Sequence, residues 1–102
     1  MAKIMVIGRY PPTKFKEMTA LFMSSDKPKY PDFVKKLHNW VAQSQGSKYK
    51  VYAVYECPDD KVMESLTALT RRYHFYASLE GYEYSIEILM DMNEAIKIGM
   101  GK

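Results

Sequence analysis

Two histidines, nine tyrosines and one tryptophan are the side chains of this 102-residue sequence that could hold or transform an organic ligand. His38 and Trp40 lie two positions apart, so on a β-strand both would point to the same side of a sheet. There a histidine could act as a base, or donate a hydrogen bond to a ligand stacked on the indole. The alternative is a packing role, with Trp40 in the core and His38 at its rim.

The second histidine lies in a basic and aromatic segment that runs from Arg71 to Tyr76. This segment could be an edge that grips a ligand through His74, Tyr73 and Tyr76. The alternative is the amphipathic end of a helix, with Arg71 and Arg72 in solvent and both tyrosines packed by their rings.

Other reactive side chains give weaker signals. Arg9 ends the first predicted strand, where it could pair with Glu56, Glu87 or the carboxylate of a ligand. Cys57 has no CxxC partner and no neighbouring histidine, which is typical of a buried, inert thiol. No spacing indicates a metal site, a phosphate-binding loop or a Ser-His-Asp triad, so we predict neither a metal nor a cofactor.

Charge and composition exclude several classes of protein. The net charge of +3 comes from scattered lysines and arginines, which argues against a nucleic-acid partner. No apolar segment is long enough to cross a membrane, and the single cysteine cannot form an internal disulfide. We therefore expect one globular domain over residues 1–102, located in the cytoplasm.

Apolar periodicity predicts strands and helices in alternation. The predicted strands lie at 3–10, 48–57 and 82–90. The first predicted helix is capped by Thr13 and ends near Ser24, and a short helix follows Asp91. A further helix, between the second and third of these strands, begins at Pro58, and its predicted buried stripe consists of Val62, Met63, Leu66, Leu69 and Tyr73.

The segment at 33–43 is ambiguous. Its apolar residues fit a helical stripe, with Asp32 as a cap, and periodicity alone favours a helix. The Gly-containing loop at 44–47 and the strong strand after it favour a hairpin instead.

The sequence resembles the ferredoxin-like dimeric α/β-barrel superfamily, in particular small uncharacterised members similar to GYD-type domains. The residues that carry the resemblance are KIMVIGRY at 3–10, the segment from Leu37 to Asp60, and YEYSIEILMDMNEA at 82–95. The resemblance implies an α+β fold of βαββαβ order, with a four-stranded antiparallel sheet and two helices on one face. It makes residues 34–43 a strand.

Two helices can cover only one face of such a sheet, and the other face is not polar here. Both sides of the strand at 48–57 carry apolar or aromatic residues: Tyr49, Val51, Ala53 and Tyr55 on one, Tyr52 and Val54 on the other. An uncovered apolar face predicts a partner. Together with the resemblance, this pattern predicts a homodimer packed through the open sheet face into a barrel.

Three functions follow as hypotheses. The first is a homodimer that binds a small apolar or aromatic ligand in a pocket at the sheet. Its predicted lining is tyrosine-rich (Tyr49, Tyr52, Tyr55, Tyr82, Tyr84), and the predicted ligand contacts are Trp40, Tyr52, Tyr55, Tyr73, Tyr76 and Arg9. The second is a cofactor-free monooxygenase, isomerase or cyclase that uses His38, His74 and Tyr52 as acid-base groups. The third is a subunit or scaffold of a larger complex.

Overall fold

The computed structural model describes residues 1–43 and 48–101. Four strands and three helices make up this part of the chain: β1 (Ala2–Tyr10), α1 (Phe15–Phe22), β2 (Lys35–Ala42), β3 (Tyr49–Cys57), α2 (Val62–Tyr76), β4 (Glu83–Leu89) and α3 (Met92–Gly99). Short 3-10 turns at Pro12–Lys14 and Asp59–Lys61 lead into α1 and α2, each directly after a proline that ends the preceding extended segment.

The four strands form one antiparallel sheet in the order β2-β3-β1-β4. This confirms the predicted α+β fold, with a sheet arrangement consistent with the ferredoxin-like βαββαβ order. The segment that periodicity left ambiguous is strand β2, at the edge of the sheet. The predicted loop at 44–47 lies outside the described residues.

A register shift interrupts the pairing of β2 with β3. Lys36 lies opposite Tyr55, but His38 already lies opposite Val54, so Leu37 is an extra residue in β2. A bulge of this kind reverses the side of the sheet on which the preceding side chains lie. Lys36 is thereby placed on the same face as Tyr55.

The core lies between one face of the sheet and the helices α1 and α2. Every second residue of β1 and β3 contributes to it, and Ile4, Val6 and Tyr55 are fully buried there. Met18 is the buried residue of α1, and Leu69 is the most deeply buried apolar residue of α2. The alternating buried side chains of the strands therefore pack against the apolar stripes of the helices, as the sequence patterns predict.

Gly8 explains how an aromatic ring fits against the middle of β1. A Cβ added at this glycine would collide with the hydroxyl of Tyr82. A glycine in a strand often marks such a close approach. The space at Gly8 is thus occupied by Tyr82, which precedes β4.

The helix starts differ in part from expectation. Thr13 is not the cap of α1, because the 3-10 turn moves the cap to Lys14, which makes no side-chain capping bond. Met63 does not belong to the buried stripe of α2 and is 69% exposed. The short C-terminal helix is confirmed: the Asp91 side chain accepts a hydrogen bond from the Asn93 amide at 2.8 Å and caps α3.

The side of the sheet opposite the core is called the open face below. Two rows of side chains cross it from β2 to β4: Trp40, Tyr52, Ile7 and Ser85 in one, His38, Val54, Met5 and Glu87 in the next. These residues stay partly or fully exposed, in contrast to their buried neighbours on the core side. The open face therefore carries an apolar centre.

Helix α3 has no buried residue, although Ile96 and Ile98 are apolar. Within the described ranges, no helix combines the length and hydrophobicity needed to cross a membrane.

Candidate functional site

A cavity of about 350 Å³ opens on the core side of the sheet, between α1 and the edge strand β2. Its walls come from both helices, three strands and the turn before β4. We call it the aromatic cavity and define it by its lining: Tyr10, Phe15, Met18, Thr19, Phe22, Lys36, Asn39, Trp40, Val41, Gln43, Val51, Tyr73, Tyr76 and Tyr82. Half of these residues are aromatic.

The mouth of the aromatic cavity is apolar. Phe15 is 44% exposed, Phe22 39% and Val41 56%. Exposed apolar surface around a concave site is typical of a place where a ligand or partner is covered by the protein. The polar groups that reach this lining are few: tyrosine hydroxyls, one threonine, two side-chain amides and one ammonium group.

One wall of the aromatic cavity consists of packed tyrosine rings, and we call it the aromatic wall. The Tyr73 and Tyr76 rings meet edge to face with centroids 5.4 Å apart, and Tyr76 meets Tyr82 in the same way at 6.0 Å. Edge-to-face pairs of this kind are favourable beyond their buried area. The positions of the rings in the aromatic wall are therefore fixed by contacts between the rings themselves.

Beneath this wall, three phenol hydroxyls form a hydrogen-bonded chain. The Tyr30 and Tyr55 oxygens are 2.6 Å apart, and the Tyr55 and Tyr73 oxygens 2.7 Å. Burial raises the pKa of Tyr55 and of Tyr73 well above the ordinary value of a phenol, and it does the same to the pKa of Tyr82. These hydroxyls are neutral hydrogen-bonding groups, unsuited to act as bases.

Two cations lie against the tyrosine rings of this hydroxyl chain. The Arg72 guanidinium carbon lies 3.9 Å from the centre of the Tyr30 ring, and its Nε donates to the Pro28 carbonyl. The Lys36 ammonium lies 5.9 Å from the centre of the Tyr55 ring. The Lys27 and Lys36 ammonium groups both lie near the Phe22 ring, and we call Lys27, Lys36 and Arg72 the cation cluster.

The predicted site residues are divided between two faces of the sheet. Tyr73 and Tyr76 line the aromatic cavity from the core side, whereas Trp40 is a lining residue of the edge strand whose position in the register lies on the open face. Tyr55 is buried beneath the aromatic cavity. Tyr52 and Arg9 lie on the open face, where Arg9 is opposite Lys50 and Glu83 in the strand register.

The two histidines are also apart from the aromatic cavity. The His38 and Trp40 rings are stacked, with centroids 4.6 Å apart and planes 10° from parallel, as their shared strand parity predicts. His74 is exposed on α2. The structure therefore does not bring together His38, His74 and Tyr52, the three groups that the enzymatic hypothesis requires.

Sequence reasoning missed the two cations nearest the core. Arg72 was expected in solvent but is only 7% exposed, because Tyr30, 42 positions away in the chain, packs against it. Lys36 was not singled out, and strand alternation from Trp40 would place it on the open face. The bulge at Leu37 places Lys36 on the core side instead, and no residue type in β2 predicts that bulge.

No model of a known protein family matches the chain, and no curated protein does. The resemblance to the ferredoxin-like dimeric barrels therefore stays a prediction at the level of family. Among residues 1–43 and 48–101, no three His, Cys, Asp or Glu side chains lie close enough together to hold a metal ion.

The buried phenols predict a loss of stability in alkali. Their folded-state pKa values lie above those of unfolded tyrosines, so their contribution is complete below about pH 10 and decreases as the pH rises further. We expect the free energy of unfolding, measured by urea denaturation, to stay constant between about pH 8 and about pH 9 and to fall as the pH rises above about 10. At neutral pH, Tyr55→Phe should cost about 1–3 kcal/mol, since two hydroxyls lose their shared partner.

The matched control is Tyr52→Phe, on the opposite side of the same strand. It should change the neutral-pH stability by less than about 0.5 kcal/mol. Equal effects of the two substitutions, or an unchanged stability in alkali, would contradict a buried hydroxyl chain.

Proposed function

We propose that this protein is a homodimeric binding protein that takes a small apolar or aromatic ligand in the aromatic cavity. The observation that carries the proposal is the lining itself: seven of the fourteen residues around about 350 Å³ of space are aromatic, and all of these except Trp40 lie on the core side. That volume lies within the range of small-molecule sites, which are lined mainly by apolar and aromatic side chains.

The character of the polar groups supports binding rather than catalysis. The pKa of Tyr10 is raised by burial, as is that of Tyr82, so these phenols are weak acids that donate or accept hydrogen bonds without ionising. No histidine or carboxylate is among the lining residues described above. A site of this kind can orient a ligand by shape and by hydrogen bonds.

The open face supports the homodimer. Its centre carries Trp40, Tyr52 and Val54, and Trp40 is 55% exposed in the single chain. A second copy packed sheet to sheet would remove this apolar surface from water.

Occupation of the aromatic cavity can be tested with a neutral fluorescent probe, N-phenyl-1-naphthylamine. We expect saturable binding, and we expect Val51→Phe to weaken it at least tenfold because the larger side chain fills a lining position. Circular dichroism should show that the variant is folded. Val41→Trp, at a more exposed lining position, provides a second test if Val51→Phe does not fold.

Val54→Phe is the matched control, on the same strand with its side chain on the open face. It should leave the probe affinity unchanged. Absence of probe binding, or loss of binding in Val54→Phe but not in Val51→Phe, would contradict the proposed site.

The homodimer can be tested by light scattering together with emission from Trp40, the single tryptophan. We expect a mass of twice 11.9 kDa and blue-shifted emission. Tyr52→Glu should give the monomer mass and shift the emission to the red, because it places a charge in the apolar centre. Thr70→Glu, on the exposed side of α2, is the control and should remain dimeric. A wild-type monomer would overturn the proposal of a homodimer.

A further inference from the structure

The aromatic cavity has a marked asymmetry of charge. Its lining includes the ammonium group of Lys36 and no carboxylate. An apolar site with a single cation distinguishes ligands by charge.

The rest of the cation cluster strengthens this asymmetry. Arg72 is 93% buried, and among the described residues it contacts the Tyr30 ring and the Pro28 carbonyl rather than a carboxylate. A buried guanidinium without a counter-charge is costly unless its surroundings compensate for it. A ring face and a carbonyl oxygen stabilise the cation but leave its net positive charge in place.

Lys27 adds a third positive charge beside Phe22, a lining residue of the aromatic cavity. Its ammonium donates to the Phe22 carbonyl at 2.7 Å and lies 4.7 Å from the centre of the Phe22 ring. The Lys36 ammonium lies 5.5 Å from the same ring centre. Both lysines therefore face one aromatic residue that lines the site.

These charges are not neutralised within the described residues. Five ion pairs form in that part of the chain, and none involves Lys27, Lys36 or Arg72. Burial, and then repulsion from Arg72 and Lys27, lower the pKa of Lys36. A bound anion would relieve both unfavourable effects.

We propose that the aromatic cavity takes an organic anion, whose apolar body lies among the tyrosine rings and whose acidic headgroup pairs with the ammonium of Lys36. The inference rests on the proposed function, and it adds the chemical class of the ligand. The headgroup is a carboxylate or sulfonate. Lys36 is accessible on the edge strand and can contact it directly, whereas Arg72 acts through the positive potential it adds.

The amides of Asn39 and Gln43 lie on the same wall as Lys36 and can donate hydrogen bonds to the oxygens of such a headgroup. The neutral tyrosine hydroxyls of the lining can do the same. A neutral ligand would leave the ammonium group without a counter-charge in a partly apolar site. The preference for an anion is therefore electrostatic and should depend mainly on one side chain.

The test compares two probes with the same aromatic body. One is 8-anilinonaphthalene-1-sulfonate, which is an anion, and the other is N-phenyl-1-naphthylamine, which is neutral. Fluorescence titrations at about pH 6 keep the lysines protonated. In the wild-type protein we expect the anion to bind at least tenfold more tightly than the neutral probe.

The deciding variant is Lys36→Met, which keeps an unbranched side chain, one atom shorter than lysine, and removes its charge. We expect it to abolish the preference for the anion and to leave the affinity of the neutral probe unchanged. Lys35→Met is the matched control: it removes a charge one position away, on the side of the sheet where Lys35 faces Glu56. It should retain the preference.

The outcomes separate this inference from the proposed function on which it rests. If both probes bind equally, or if Lys36→Met weakens both to the same extent, the site does not select anions and the inference is wrong, while the aromatic cavity remains a binding site. If Val51→Phe weakens the binding of neither probe, the aromatic cavity is not the binding site and the proposed function is wrong as well.

Discussion

The hydrogen-bonded chain of Tyr30, Tyr55 and Tyr73 is the interaction on which the site depends. It joins three parts of the chain that are distant in sequence: the proline-containing connection before β2, the central strand β3 and helix α2. Tyr55 is fully buried, and a phenol in that position is costly without partners. The three elements must therefore come together in one arrangement, and that arrangement positions the edge strand β2 and the helices around the aromatic cavity.

The same constraint explains why a positive charge lies so close to the core. Tyr30 supplies both a hydroxyl to Tyr55 and a ring face to Arg72, so the residue that satisfies the buried phenol also holds the guanidinium. The cation cluster and the aromatic wall are thus parts of one structure. Burial and the neighbouring positive charges lower the pKa of Lys36, and the same combination of an apolar site with an unpaired positive charge favours the class of ligand that we propose.

The sequence predicts the fold better than the site. Alternation in β1, β3 and β4 and the stripe of α2 mark their buried faces, and the family resemblance corrects the helical periodicity of β2. Two features of the site could not be predicted from local sequence patterns. The bulge at Leu37 reverses the face of Lys36 without a characteristic residue, and Arg72 is buried by an aromatic ring from a distant segment rather than by its own helix.

The most direct test of a ligand site in the aromatic cavity is a carbon-proton NMR spectrum of the methyl groups, recorded while N-phenyl-1-naphthylamine is added. The account predicts that signals of Met18, Val41 and Val51, which line the aromatic cavity, shift with saturation. Signals of Met5 and Val54, on the open face, should stay in place. Shifts confined to the open-face residues, or no shifts at all, would contradict it.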